Sequence, residues 1–429
     1  MRCSIQTLAM IAIASLTAFF GAAESPAAAD EPLQELLWGR PLLLANAGLA
    51  ADPGPGARTK RYEICDLETT VLAAEPDAHV SRNSIKVLPD GAWAMIYNRA
   101  NNHGGTEWSC VNIRFSKDGG KSWSDENRLL DGSRVRGLPC GNPDGLATAD
   151  PWLYLAPNGD LVIHFWRIGW RDRVMKGTWA IVSEDGGRSW SSPEQVKFEG
   201  IANDNFVFCG EQDFCVDGRL YAGFREFAPE VVGPGRCFFA VSDDNGRSFK
   251  LQGIVAGVGD DSVWFGESGY EYLGGQDVIA VVLGQRAKDR RQLTFVSYSR
   301  DLGKTWSDLR EITSQTDAIH RPRVYTRKHL QGAAEWWDDE VLICTGTLDQ
   351  SRANDIDRGR TNSVWISPDR GRSWTTFWGL DAKYYDGGYG DLAYDPEEGK
   401  FVVVMYTGDT EEAVLKQYRF RILENKSPL

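Results

Sequence analysis

The chain has 429 residues, with 60 acidic against 47 basic side chains, a formal charge of −13 and a pI near 5.0. That balance excludes nucleic acid and an anionic membrane surface as partners, because both are held by an excess of Lys and Arg. An anionic ligand would have to be gripped by local arginines.

The first 29 residues have the layout of an export signal: Arg2 as charged start, an apolar run from Leu8 to Phe20, and small-residue exits at Gly21–Ala23 or Ala27–Ala29. A secreted or periplasmic protein is expected. The apolar run is too short for a membrane span, and no later stretch approaches twenty apolar residues. Residues 30–60, with Asp52-Pro-Gly-Pro-Gly56, read as a linker without a core of its own. Beyond Cys3 there are seven scattered cysteines, and only Cys209 and Cys215 lie close enough for a local disulfide; small buried side chains explain them equally well. Five histidines without H-E-x-x-H or paired C-x-x-C spacing give a zinc site little support, and no cofactor is implied.

From residue 61 onward one pattern governs the chain. Ser116–Trp123, Ser183–Trp190, Ser242–Phe249, Ser299–Trp306 and Ser367–Trp374 all fit S-x-D-x-G-x-[ST]-[WF], about 57 to 68 residues apart. Such a period calls for an array of equivalent units. In each turn the Asp can accept backbone N–H bonds, the Gly supplies positive φ, and the aromatic packs back between strands. Asp118, Asp185, Asp243 or Asp244, Asp301 and Asp369 are therefore structural. Upstream of a box stand two strands and a tight turn, as in Ser84–Leu88, Pro89-Asp90-Gly91, Ala92–Tyr97, and again in Trp152–Leu155, Pro157-Asn158-Gly159, Leu161–Trp166. Each unit then has four antiparallel strands with the box between the third and fourth. Five boxed units plus a boxless one, Gly387–Leu423, predict an all-β, six-bladed β-propeller over residues 61–429, with Arg61–Leu72 closing the ring.

Because antiparallel strands alternate direction, boxes and first-to-second-strand turns share one face, and the long loops share the other. On that second face fall Arg82, Glu267, Arg321, Arg323 and Tyr389 at starts of first strands, Arg99, Arg167, Arg225 and Arg286 at ends of second strands, and Arg358 and Arg360 at the start of a third. Any one arginine is as well explained by an inter-blade salt bridge. As a set in an acidic protein they point to a carboxylate- or sulfate-bearing ligand.

With these residues in view, the region Arg61–Leu423 resembles the sialidase (neuraminidase) family. The segment Gly388-Tyr-Gly-Asp-Leu-Ala-Tyr394 looks like that family's nucleophile region, which makes Tyr389 the expected nucleophile and Glu267 its partner. The resemblance further implies a carboxylate-binding trio of Arg82, Arg286 and Arg360. A phenol is a sensible nucleophile here, since a carboxylate would be repelled by a substrate carboxylate on the anomeric carbon. Two departures stand out: Ser84 occupies the place of the proline in the family's F-R-I-P motif, and the loop Asn98–Cys110 holds no aspartate. Glu107 falls where the general acid is expected, with Asn102 and His103 nearby. The expectation is a retaining exo-glycosidase releasing a terminal acidic sugar, sialic acid by resemblance. Its rivals are hydrolysis or lyase cleavage of uronic or sulfated glycans, with His103, His320 or a tyrosine as acid/base, and a non-catalytic glycan-binding propeller.

Overall fold

The computed structural model describes residues 61–103, 108–133, 146–169, 175–208, 211–226, 235–257, 263–330, 337–349, 360–374, 376–381, 386–409 and 411–425. The leader and linker, together with Glu107, Cys140, Cys209 and Arg358, lie outside the described residues. Among the described residues no helix is long and apolar enough to cross a membrane.

The chain is all-β, and its small antiparallel sheets form a propeller-like arrangement. The strands Val263–Gly274, Asp277–Arg286, Gln292–Ser299 and Arg310–Glu311 make one four-stranded unit, Ala318–Tyr325 to Thr376–Gly379 a second, and Leu146–Leu155 to Glu194–Gln195 a third. A six-stranded sheet is built around Arg219–Glu226, and an eight-stranded sheet joins both ends of the chain. Six separate four-stranded blades are therefore not what the backbone pairing gives. The first and last expected blades merge because His79 pairs with Ala413, while Arg61–Ala73 runs antiparallel to Ala413–Asn425.

Burial explains why the innermost strands lack a clean two-residue alternation. Every residue of Ala318–Tyr325 and of Asp386–Asp395 is buried, because each sheet is covered on both faces by its neighbours. The cores lie between consecutive sheets, for example Ile96, Ile113, Leu153 and Ile163, or Tyr221, Phe239, Tyr270 and Val278. Val80, Met95 and Tyr97 pack against Val402, Val404 and Tyr406, so the beginning of the chain closes on its end.

All five boxes form the same turn. In the last, Asp369 accepts from the Ser373 amide at 2.7 Å and its hydroxyl at 2.6 Å, and the Ser367 hydroxyl takes the Gly371 amide at 2.7 Å. Gly371 has φ +83°, and a Cβ there would meet Ile279 at 2.4 Å, so both backbone and packing require glycine. In the third box the structural carboxylate is Asp244, which holds Ser248 through its amide and hydroxyl at 2.8 and 2.6 Å. Asp243 instead faces Arg219 at 2.6 Å on the surface. Strand register puts each box at the strand end away from the loops: Ser116 lies opposite Trp93, whereas His79 and Ala100 mark the other end.

Between those ends, side chains cross from one inner strand to another. Lys86 reaches Asp213 at 2.6 Å, and the Gln212 amide pairs with Val324 as a strand would, accepting its N–H at 2.8 Å and donating to its carbonyl. These links lie on the box side of Arg82 and Arg321.

Candidate active site

Five innermost strands lose register at the same place, where two residues oppose one on the neighbouring strand. The pairs are Arg82-Asn83, Asp150-Pro151, Gly266-Glu267, Arg321-Pro322 and Tyr389-Gly390. Arg82, Asp150, Arg321 and Tyr389 there adopt φ between 50° and 56°, the left-handed region that non-glycine residues avoid. A residue in such a region costs on the order of 1–3 kcal/mol and persists where its surroundings over-determine it, characteristically at functional sites. A bulge re-aims a side chain out of the pleat, and here it delivers one polar residue per strand to a common centre.

At that centre the Tyr389 hydroxyl donates to Glu267 Oε1 at 3.0 Å. Arg321 binds the same carboxylate oxygen through Nε at 3.3 Å, and its guanidinium stands 4.4 Å over the Tyr389 ring. His320 Nδ1 lies 3.5 Å from Glu267 Oε2 and Arg225 lies 3.9 Å from Oε1. Burial alone would raise the Glu267 pKa, but His320, Arg321, Arg225 and the Tyr389 hydroxyl outweigh it and hold the carboxyl well below its ordinary range. Burial and then the Glu267 charge push the Tyr389 phenol above its ordinary value. At neutral pH the pair is thus a carboxylate beside a neutral phenol. A carboxylate in hydrogen-bond reach can take the phenolic proton as the oxygen attacks, and Arg321 over the ring favours the negative charge that develops.

The remaining arginines are arranged around this pair, each against a carboxylate. Arg82 Nε meets Asp150 at 2.6 Å, Arg225 Nε meets Glu211 at 3.1 Å, Arg323 meets the other Glu211 oxygen at 3.4 Å, and Arg360 meets Asp386 at 3.1 Å. Of the three arginines expected to converge, Arg286 does not. Its guanidinium forms a bidentate pair with Asp289, three residues on, in an exposed turn at the rim. It ends a second strand, one layer out from the axis, and a local acid captures it. Arg321 and Arg225 take the inner positions. Arg321 and Arg225 were among the rim arginines legible in the sequence, with Arg321 an alternative to Arg360 for completing the trio, whereas the carboxylates that face them, Glu211, Asp150 and Asp386, were not singled out. A signal was present: the re-aimed residue is followed by Pro or Gly in Asp150-Pro151, Arg321-Pro322 and Tyr389-Gly390.

Asp386 organises a second group. Its Oδ2 accepts from His103 Nδ1 at 2.6 Å and lies 3.3 Å from His79 Nε2, while Oδ1 takes Arg360, Arg321 and the Tyr406 hydroxyl. Burial opposes its ionisation, but His103, His79 and Arg321 hold it far below the ordinary carboxylate range. One atom each from His79, His103 and Asp386 lies within 4.8 Å of the others, a spacing a metal ion could use. The two guanidiniums on Oδ1 oppose a dication there, so the arrangement suits a proton-bearing network better.

Comparison with known proteins bears on the fold and the family. The family described as BNR repeat-like domain matches residues 107–403. None of the curated proteins matches the chain. Among solved structures, a Dyadobacter fermentans protein of unknown function superposes with TM-score 0.64 at 17% identity, covering 83% of this chain and 98% of that one. A Hadza microbial sialidase gives 0.56 at 16%, covering 82% of this chain and 66% of that one. A Penicillium chrysogenum alpha-L-arabinanase gives 0.55 at 15%, covering 84% and 99%. With the family match spanning well over half its length, the chain belongs to the BNR repeat-like family, to which its sialidase-like fold and repeated Asp-box turns also point.

Proposed function

We propose that the protein is a retaining glycoside hydrolase that removes a terminal acidic sugar, of the sialic acid type, from glycans. The observation that carries this reading is the Tyr389–Glu267 hydrogen bond of 3.0 Å under the Arg321 guanidinium. A neutral phenol with a carboxylate base suits a sugar whose anomeric carbon itself bears a carboxylate, since two carboxylates would repel on approach. Among the described residues the central group holds Arg82, Arg225, Arg321, Arg323 and Arg360 against Asp150, Glu211, Glu267 and Asp386; with burial pushing Glu211 up to about 7, the group carries an excess of positive charge for an anionic ligand. The links of Lys86 and Gln212 beneath the site favour a blind pocket that takes a chain end.

We infer also that the eight-stranded sheet is two four-stranded blades joined at the His79–Ala413 pair, so that residues 61–429 form one six-unit ring preceded by an export leader (1–29) and a linker (30–60). The proton donor is assigned to the loop after Trp93–Ala100, which carries His103 and Glu107. A second reading has an observation behind it. Because each inner arginine already faces a carboxylate, the rim also suits the hydroxyls of a neutral sugar, as an arabinan-acting neighbour would bind. Umbelliferyl α-sialoside, β-glucuronide and α-L-arabinofuranoside, assayed side by side, separate the readings. Turnover of the sialoside that disappears in Tyr389→Phe supports the first, and turnover of the arabinofuranoside alone supports the second.

A further inference from the structure

We propose that His103 is the residue that transfers a proton to and from the substrate in this site, and that Asp386 positions it. The inference rests on the reading of Tyr389 as nucleophile. It begins from the loop that departs from the sialidase pattern: Asn98–Cys110 has no aspartate, yet His103 on that loop is 9% exposed and held at 2.6 Å by a buried carboxylate from the far end of the chain. Asp386 is kept ionised by Arg321 and Arg360, so it can only accept. His103 must therefore carry its proton on Nδ1, which fixes the ring and makes Nε2 the basic nitrogen. His79 completes the frame from behind, with Nε2 toward the same oxygen and Nδ1 at 2.9 Å from the Ser81 hydroxyl. A ring nitrogen oriented through a carboxylate on the other nitrogen is how a histidine is prepared for acid–base work. Asp150, the other carboxylate near the nucleophile, is taken up by Arg82.

The balance of the reaction is as follows. Tyr389 oxygen bonds to the anomeric carbon and gives its proton to Glu267. The bond from that carbon to the leaving oxygen breaks, and the leaving oxygen takes a proton from His103 Nε2. Water then attacks the same carbon and returns a proton to His103, the Tyr389–carbon bond breaks, and Glu267 returns its proton to the phenolate. His103 is faced by Asp386, His79, Arg82 and Arg321. Burial, Arg82 and Arg321 disfavour its charged form more than Asp386 supports it, and its pKa falls to about 4. Turnover that needs the imidazolium in its first step should then be greatest in acid and decline about tenfold per pH unit above that value.

The test compares 3′-sialyllactose with umbelliferyl α-sialoside, whose leaving group departs with little protonation. His103→Gln retains size and a donor for Asp386, and a circular dichroism melt reports whether it folds. The expected result is a loss of roughly 10²- to 10⁴-fold on sialyllactose and a far smaller loss on the aryl sialoside. Asp386→Asn should move the pH limb of sialyllactose turnover to lower pH by about a unit or more, a shift that a structural role alone would not produce. Equal losses on both substrates in folded His103→Gln, with Tyr389→Phe inactive, would overturn the role of His103 and leave the nucleophile standing. Unchanged turnover in Tyr389→Phe, or a wild-type protein inert toward both sialosides, would overturn the nucleophile reading and this inference with it.

Discussion

Replacing Glu267 by Gln removes the negative charge on which two guanidiniums and the His320 imidazole converge, and its consequence can be worked out from the distances. Arg321 Nε stands 3.3 Å away, His320 Nδ1 3.5 Å and Arg225 3.9 Å, and the Glu267 side chain is nearly closed to solvent. Removing one partner of a buried charge network costs about 3–5 kcal/mol, because the opposite charges stay buried without compensation. For a chain of this size that is roughly 4–6 °C in melting temperature. The cost depends on pH in a defined direction. Its folded pKa lies well below the ordinary 4.5, so the ionised carboxyl contributes stability that is present above about pH 4.5 and is lost as the pH falls further. The wild-type and Glu267→Gln melting curves, followed by calorimetry from pH 7 to pH 3, should therefore be well separated at neutral pH and draw together below about 4.5. A separation that stays constant to pH 3, or a variant as stable as wild type at pH 7, would refute the electrostatic reasoning.

Arg82→Ala should weaken binding of an acidic monosaccharide roughly ten- to a hundredfold by titration calorimetry, since a charge-assisted contact is lost and Asp150 is left opposed to the ligand. Arg286→Ala should leave it within about twofold, because its exposed pair with Asp289 lies away from the central group. In the third turn, Asp244→Ala removes the acceptor of the Ser248 amide and hydroxyl and should cost about 2 kcal/mol in denaturant unfolding. Asp243→Ala, which touches only surface Arg219, should leave the midpoint unchanged.

How much of this was legible in the sequence differs by element, for physical reasons. The Asp-box turns were readable because a turn is local: Ser367, Asp369, Gly371 and Ser373 bond to one another within seven residues. In the third box the spacing from Ser242 and Gly246 already favours Asp244 over Asp243, and the contacts to Ser248 agree. Tyr389 and Glu267 could be named through family resemblance, but their contact spans 122 residues and no spacing rule reports it. Arg286 was named through family resemblance, and Arg321 was legible as a rim arginine, but its place at the centre depends on a bulge that sequence does not locate. One inserted residue at Arg321-Pro322 turns an inner-strand arginine into the centre of the site. Blade counting met the same limit: the repeat shows the units, whereas the His79–Ala413 pair that fuses the first to the last is a long-range event.

The account rests most heavily on Tyr389 as the nucleophile. An activated 3-fluoro acidic sugar that forms a glycosyl–enzyme but breaks it slowly would test this most directly, with the intact protein weighed and the labelled peptide sequenced by mass spectrometry. The account predicts one sugar per chain, on the Tyr389 oxygen, and no label in Tyr389→Phe. A label on Glu267 or on any other residue would contradict it, as would unimpeded turnover of the wild-type protein in the presence of the fluoro sugar.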